Sequence, residues 1–211
     1  MIEAKEKALV LDALRAAIGQ AHVLVDDDRT ESYVTDWRKR YKGPALAVVR
    51  PASTDDVQKI VEIANRFDLA LVPQGGNTGL VGGSVPLGRG DEILISMQRM
   101  NRVISVDPLS DTMIVEAGVT LAEAQAAAEQ HDRLFSLSLA SEGTATIGGA
   151  IGTNAGGTAV LAYGNMREIV MGLEIVLADG RVIDLMRRLR KDNTGYDLKD
   201  LMIGSEGTLG I

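Results

Sequence analysis

Apolar residues in the first part of the chain change between helical and strand spacing, which predicts a mixed α/β protein. Residues 3–18 carry apolar side chains at helical spacing, and Gly19 follows as a helix stop. Residues 23–43 are polar without a period, so they are predicted to be irregular. A short apolar run at residues 45–49 then predicts a buried strand.

The stretch that follows this strand predicts a β-α-β unit. Ser53 or Thr54 can cap a helix whose apolar face extends from Val57 to Phe67. A second apolar run at residues 69–72 predicts the returning strand. Such units join parallel strands through a right-handed crossover, so a parallel sheet is expected here.

The remaining pattern consists of short strands, one alanine-rich helix and a hairpin. The helix is expected to begin near Thr120 and to end near Glu129, and Asp179-Gly180 lies between two apolar runs as a hairpin turn. We expect two α/β subdomains, residues 1–99 and residues 100–211, each with its own glycine cluster. The predicted strands cover residues 93–95, 103–106, 113–115, 173–177 and 182–185.

Composition excludes several functional classes. The net charge of −7 argues against a nucleic-acid surface, and the absence of cysteine removes disulfides, thiolate metal sites and cysteine nucleophiles. His22 and His131 stand alone in sequence, so no metal site is predicted. Neither a basic-then-apolar leader nor an apolar run of ~20 residues is present, so the expectation is a cytoplasmic protein without a membrane segment.

The strongest candidate for chemistry is a glycine-rich loop directly after the predicted strand at residues 69–72. Five glycines fall at positions 75, 76, 79, 82 and 83, which indicates positive φ angles or close backbone approach. Successive N–H groups in such a loop can form an anion-binding nest. The spacing matches neither the nucleotide P-loop nor the Gly-x-Gly-x-x-Gly dinucleotide motif. An irregular surface loop is the alternative.

Two further tracts have the same character. Residues 141–157 combine small residues with hydroxyl and amide donors, which suits a ligand close to the backbone, although tight packing between subdomains would use the same residues. Residues 191–198, leading into residues 203–211, form a third glycine-containing tract, which alone indicates only a helix end and a turn.

Together these tracts resemble the FAD-binding domain of the PCMH type, also called the vanillyl-alcohol oxidase type. The segments Pro-Gln-Gly-Gly-Asn-Thr-Gly-Leu-Val-Gly-Gly-Ser at residues 73–84 and Gly-Ser-Glu-Gly-Thr-Leu-Gly-Ile at residues 204–211 carry the likeness. Within that type the chain is most similar to D-2-hydroxyacid dehydrogenases, which include D-lactate and D-2-hydroxyglutarate dehydrogenases and the glycolate oxidase flavin subunit. The resemblance implies an α/β (α+β) fold of two subdomains with FAD between them.

The resemblance also assigns cofactor-binding residues. Residues 75–79 and Ser84 would wrap the FAD pyrophosphate, residues of the second tract would line the dinucleotide, and residues of the third tract would close over the cofactor. The implied set is Pro73, Gly75, Gly76, Asn77, Thr78, Gly79, Leu80, Gly83, Ser84, Ser141, Gly143, Thr144, Gly148, Gly149, Thr153, Asn154, Gly156, Gly157, Glu206, Gly207 and Ile211. Relatives with covalent flavin commonly carry histidine where this chain has Asn77, so the FAD is expected to be non-covalent.

The implied reaction is hydride transfer from a D-2-hydroxyacid to flavin N5, which yields a 2-oxoacid. In the family a substrate or cap domain follows the FAD domain, and we expect it to be missing because the chain stops at Ile211. No catalytic residue is therefore assigned, and the chain alone is expected to be inactive. The expected partners are the hydroxyacid and an unidentified electron acceptor, and homo-oligomerisation stays open. The alternative is a non-catalytic FAD-binding or nucleotide-binding module, or a subunit that a partner chain completes.

Overall fold

A four-stranded sheet is the framework of the first part of the fold. The structure is a computed structural model that describes residues 3–211. The strands lie in the order β1-β2-β4-β3, with β2, β3 and β4 parallel to one another and β1 antiparallel to β2. They are β1 (Val23–Leu24), β2 (Ala47–Val49), β3 (Leu71–Gln74) and β4 (Ile93–Ser96).

Helices cover both faces of this sheet. Helix α1 (Ala4–Ile18) and helix α3 (Thr54–Arg66) share one core with alternate residues of β2 and β4, whereas α2 (Asp27–Val34) packs on the other face. The Ser53 hydroxyl caps α3 by accepting a hydrogen bond from the Asp56 N–H at 3.2 Å. The predicted β-α-β unit is confirmed, with β4 inserted between its two strands.

The prediction that residues 23–43 are irregular is wrong. This stretch contains β1 and α2, and in α2 only Thr30 and Val34 are buried. Residues 26–28 are all aspartate, so the start of the helix shows no apolar residues at helical spacing. Because α2 covers only the small core around Val48 and Leu94, it needs few apolar side chains.

The second part of the chain contains two antiparallel hairpins and several short helices. β5 pairs with β6, and β7 pairs with β8, which confirms the predicted hairpin around Asp179 and Gly180. Thr120 and Glu123 form a reciprocal capping box at the start of α4. The elements are β5 (Val103–Asp107), β6 (Thr112–Val115), α4 (Leu121–Glu129), α5 (Ile147–Gly152), α6 (Val160–Tyr163), α7 (Met166–Ile169), β7 (Glu174–Val176), β8 (Val182–Asp184) and α8 (Leu198–Met202).

The second part has a core of its own, but the two parts also share packing. Leu121, Leu137 and Met166 belong to the separate core, whereas Met100 and Val176 pack into the core beneath the four-stranded sheet. The division of the chain into subdomains at residue 100 stays a prediction. Among residues 3–211, no helix has both the length and the apolar character that a membrane crossing requires.

Candidate functional site

The loop that follows β3 leaves its backbone donors without partners in the chain. The backbone N–H groups of residues 76–84 donate no hydrogen bond to another atom of residues 3–211. Unpaired N–H groups are costly when they are buried, and most are paired in folded proteins. A run of them at the edge of a cavity therefore offers donors to an anion.

Two glycines of this loop allow it to lie directly against the second tract. A Cβ atom at Gly75 would overlap the Thr146 hydroxyl, and a Cβ atom at Gly76 would overlap the carbonyl oxygen of Thr144. Close backbone approach thus explains these two positions. By contrast, Gly79 has no protein atom within 4 Å of its Cβ position, so its side faces open space.

Positive φ angles occur at only two positions between residues 75 and 84. They are Gly82, with φ 80°, and Asn77, with φ 51°. At Gly82 the Tyr41 ring also lies 2.7 Å from the Cβ position. The left-handed turn at residue 77 is thus made by an asparagine, a residue that tolerates this region better than most.

Three polar side chains hold the loop in shape. Gln74 is 2% exposed, and its Nε2 donates to the carbonyl oxygens of Ser84 at 2.7 Å and Tyr33 at 2.8 Å. Asn77 Nδ2 donates to the Thr35 carbonyl oxygen at 2.8 Å, and its Oδ1 accepts from the Ser84 hydroxyl at 2.9 Å. Sequence reasoning did not single out Gln74, although a glutamine that ends an apolar strand is an available signal.

The second tract uses its backbone differently. It forms α5, which Thr146 caps by accepting from the Gly149 N–H at 3.3 Å. The Gly148 N–H donates to the Ala117 carbonyl oxygen at 2.8 Å, and the Thr153 hydroxyl donates to the Gly149 carbonyl oxygen at 3.0 Å. Many donors of this tract are therefore used within the protein.

The third tract packs against both others. The Glu206 N–H donates to the Gly152 carbonyl oxygen at 2.9 Å, and a Cβ atom at Gly207 would overlap the Pro73 ring. The carboxylate of Glu206 lies 3.4 Å from the Cβ position of Gly83. Ile211 exchanges two backbone hydrogen bonds with Val176 of β7, so the three tracts are held at one place.

A cavity of about 1660 Å³ opens where the tracts meet, and most of the sequence-predicted site residues line it. They are Pro73, Gly75, Gly76, Asn77, Thr78, Gly79, Leu80, Gly83, Ser84, Ser141, Gly148, Gly149, Thr153, Glu206, Gly207 and Ile211. Gly143 and Thr144 line a smaller depression of about 270 Å³ next to Gly76.

Three predicted residues lie outside both openings in the described part of the chain. Asn154 has φ 50°, and its Oδ1 accepts from the Arg167 N–H at 3.0 Å. A Cβ atom at Gly156 would lie 3.1 Å from the Val160 side chain. A Cβ atom at Gly157, where φ is 70°, would overlap the Ser138 carbonyl oxygen. In this structure these three residues make packing and turn contacts.

The cavity also contains charged groups that the loop itself lacks. Arg102 lines it and donates from Nη2 to Glu116 at 2.6 Å, and the hydrogen bond from Arg102 lowers the pKa of the Glu116 carboxyl. Arg133 lines it and pairs with Asp111 at 2.5 Å. These two cations are paired with carboxylates. Arg190 also lines the cavity and forms no ion pair among residues 3–211, so a bound anion has this side chain available as well as the loop donors.

The sequence of the chain matches a known family of domains. The FAD binding domain family matches residues 45–186, which is most of the chain and includes the first two tracts. The chain belongs to this family of FAD-binding domains.

Its relatives include dehydrogenases of D-2-hydroxyacids. The chain is 46% identical over 197 residues to a probable D-2-hydroxyglutarate dehydrogenase of Oryza sativa subsp. indica, and the match covers 93% of this chain and 35% of the relative. It is 38% identical over 208 residues to a putative D-lactate dehydrogenase of Schizosaccharomyces pombe, with 95% of this chain and 39% of the relative covered. The chain therefore spans little more than a third of these relatives.

A solved structure supports the fold. The FAD-binding domain superposes on an alkyldihydroxyacetonephosphate synthase with a TM-score of 0.86 and 22% identity, over 97% of this chain and 38% of that one. The predicted PCMH-type α/β fold is confirmed by this match.

One expectation from the sequence is wrong. Both relatives are named as mitochondrial proteins, which contradicts the cytoplasmic assignment.

The residues of the cavity fit an FAD diphosphate. The unpaired N–H groups of residues 76–84 supply donors without a positive side chain, and the open side of Gly79 leaves room for a ligand atom beside the backbone. N–H groups of this kind form anion-binding concavities in other phosphate sites.

Proposed function

We propose that this FAD-binding domain is part of a flavoprotein that oxidises a D-2-hydroxyacid to the corresponding 2-oxoacid. The relatives support this reaction class, since they are named as D-2-hydroxyglutarate and D-lactate dehydrogenases. The chain spans about 35–39% of their length. The complete activity is accordingly a proposal for the intact protein.

The observation that carries the cofactor part of the proposal is the row of unpaired N–H groups in residues 76–84. These groups would hold the FAD diphosphate, while residues of α5 and of the third tract would contact the rest of the cofactor. Gly79 and Thr78 on the first tract, Gly149 on α5 and Gly207 on the third tract all line the cavity. The other sequence-predicted residues of the cavity lining belong to the same proposed site.

The FAD is proposed to be bound without a covalent link. The Asn77 side chain is engaged with Thr35 and Ser84, and the chain contains no cysteine. Acid precipitation of the purified holoprotein should therefore leave the flavin in the supernatant. A yellow precipitate that keeps its flavin after washing in denaturant would contradict this.

When bound, FAD supplies the hydride-accepting chemistry. The contribution of residues 3–211 is to bind and orient the cofactor through backbone donors and to line the cavity. Neither His22 nor His131 lines that cavity in the described chain, and no proton-transfer role is given to them.

The substrate is proposed to be D-2-hydroxyglutarate or D-lactate, with glycolate as a further member of the same chemical class. In the test, each hydroxyacid is added to the intact holoprotein under anaerobic conditions. Reduction of the flavin is measured as the loss of its absorbance. D-2-hydroxyglutarate, D-lactate and glycolate are compared with the L-enantiomers of the first two. Bleaching by a D-hydroxyacid supports the proposal, and bleaching by none of them overturns it.

Binding of the cofactor can be tested on this chain alone. FAD fluorescence should be quenched as the purified chain is added, and ADP should compete because it carries the same diphosphate. Circular dichroism establishes that the chain is folded in the same sample. A folded chain that binds neither FAD nor ADP would overturn the cofactor site.

A further inference from the structure

Ser84, at the end of the FAD loop, is hydrogen-bonded to both Gln74 and Asn77, through its carbonyl oxygen and its hydroxyl respectively. We propose that these three are positioning residues, a loop clamp that holds residues 75–84 in the shape in which the N–H groups face the diphosphate. This inference rests on the proposed function. It assigns Ser84 to the clamp, whereas the family resemblance alone assigns it to the pyrophosphate.

Gln74 joins the two ends of the loop. It is the last residue of β3, and its Nε2 reaches the carbonyl oxygen of Ser84, ten residues later, at 2.7 Å. The same nitrogen donates to Tyr33 at 2.8 Å, so both amide hydrogens are used. Because Gln74 is 2% exposed, loss of either bond would leave a buried polar group unpaired.

The Ser84 hydroxyl is hydrogen-bonded to the Asn77 side chain. The Ser84 Oγ donates to Asn77 Oδ1 at 2.9 Å, and a serine hydroxyl has only one hydrogen to donate. That hydrogen is therefore not available to a phosphate oxygen. Asn77 Nδ2 in turn donates to Thr35 at 2.8 Å and to Ser32 at 3.3 Å, which ties the loop to the end of α2.

The clamp explains how the loop keeps its shape without using its own donors. Turns commonly hold their shape through a backbone N–H that bonds the carbonyl three residues earlier. In residues 76–84 the backbone donors are unpaired, and side-chain amides supply the constraints. A loop that is already ordered loses less conformational freedom when the ligand binds, which favours affinity.

The test compares ligands with and without a diphosphate. Dissociation constants for FAD, ADP and adenosine are measured for the wild-type chain, Ser84→Ala, Asn77→Gly and the double variant. Glycine is chosen at residue 77 because it adopts the φ of 51° freely, so the amide is removed without backbone strain. Ser110→Ala is the matched control, since this exposed serine contacts Thr112 in the β5–β6 turn.

Each single variant should weaken FAD and ADP about fivefold to tenfold, while adenosine binding stays unchanged. The double variant should resemble the weaker-binding single variant, because both changes break the same Ser84–Asn77 bond. The control should bind like wild type. Thermal unfolding of each apo variant is recorded to separate binding from loss of fold.

The outcomes separate this inference from the proposed function. Losses that add in the double variant would mean that Ser84 acts on the ligand independently, which overturns the clamp while the FAD site stands. An equal loss for adenosine and ADP would mean a general structural effect and would also overturn it. Failure of the folded wild-type chain to bind FAD and ADP would overturn the proposed function, and the clamp with it.

Discussion

Residues 75–84 and residues 141–157 are both rich in glycine and hydroxyl residues, yet they use their backbones in opposite ways. The first tract leaves the N–H groups of residues 76–84 unpaired at the cavity, whereas the second pairs many of its donors within and around α5. Glycine content therefore does not distinguish a ligand loop from a packing segment. The two kinds of segment differ in whether their backbone N–H groups are bonded within the protein or left unpaired.

Within residues 75–84, some glycines are packed against the protein and one is beside open space. Gly76 lies against the second tract, where a side chain would overlap the Thr144 carbonyl oxygen, and Gly79 has open space at its Cβ position. A small residue is needed for protein packing at Gly76. At Gly79 we expect it to be needed for the ligand.

The largest expected effect follows from filling the contact between the two tracts. Gly76→Ala should lower the free energy of unfolding by about 3 kcal/mol or more, because a backbone carbonyl cannot yield as a flexible side chain would. Urea unfolding of the apo chain measures this. Gly143→Ala is the control, since no atom lies within 4 Å of its Cβ position. Equal stability of the two variants would contradict the close packing.

The next effect concerns ligand binding rather than stability. Gly79→Ala should weaken FAD binding about tenfold or more, equivalent to about 1.4 kcal/mol, and should leave the unfolding midpoint unchanged. The physical reason is that the new methyl group would occupy the open side of the loop. Fluorescence titration and urea unfolding on the same preparation give the two values. Unchanged FAD affinity would show that the ligand does not approach residue 79.

Removal of the α5 cap should have a smaller effect. Thr146→Ala should cost about 1 kcal/mol of unfolding free energy, because the Gly149 N–H loses its acceptor at the start of the helix. Thr146→Ser keeps the acceptor and serves as the control. If the serine and alanine variants are equally stable, the hydroxyl does not act as a cap.

The smallest expected effect is the pH dependence of the stability contributed by Glu116, which lies beside the second tract. Glu116 is 8% exposed, and its hydrogen bonds with Arg102 lower its pKa in the folded chain. A depressed carboxyl pKa contributes stability above the unfolded pKa of about 4.3, and this contribution is lost as the pH falls through the folded value. Arg102 is 73% exposed at its side chain, so solvent screening keeps the contribution small.

Unfolding of wild type and Glu116→Gln between pH 7 and pH 3 tests this point. The stability difference should be greatest at neutral pH and should shrink on acidification. A difference that stays constant with pH would show that the carboxylate charge is not the cause.

Much of the secondary structure was predictable because each local pattern agrees with its tertiary environment. Helix α3 has both a serine cap and an apolar stripe, and β4 begins with three consecutive apolar residues and is buried throughout. Helix α2 was missed for a physical reason. Its aspartates suit a helix N-terminus, but its two buried residues are too few to produce an apolar period.

The candidate site was predictable in its segments and less so in its contacts. Three separate tracts carried the family likeness, so their residues could be named before any geometry. The hydrogen bonds that Gln74 and Asn77 donate to the end of α2 have their acceptors in residues 32–35. Those residues lie in a stretch that sequence reasoning had described as irregular.

The sequence by itself determined that this chain is a PCMH-type FAD-binding domain, because the glycine, proline and hydroxyl positions of the three tracts are specific in combination. Tertiary structure decided which glycines pack, which face the cavity and which donors stay unpaired. That division depends on distances between backbones far apart in sequence, such as Gly76 against Thr144 and Gly207 against Pro73. Local residue preferences contain no information about such distances, since the same glycine suits a ligand loop and a crowded contact equally well.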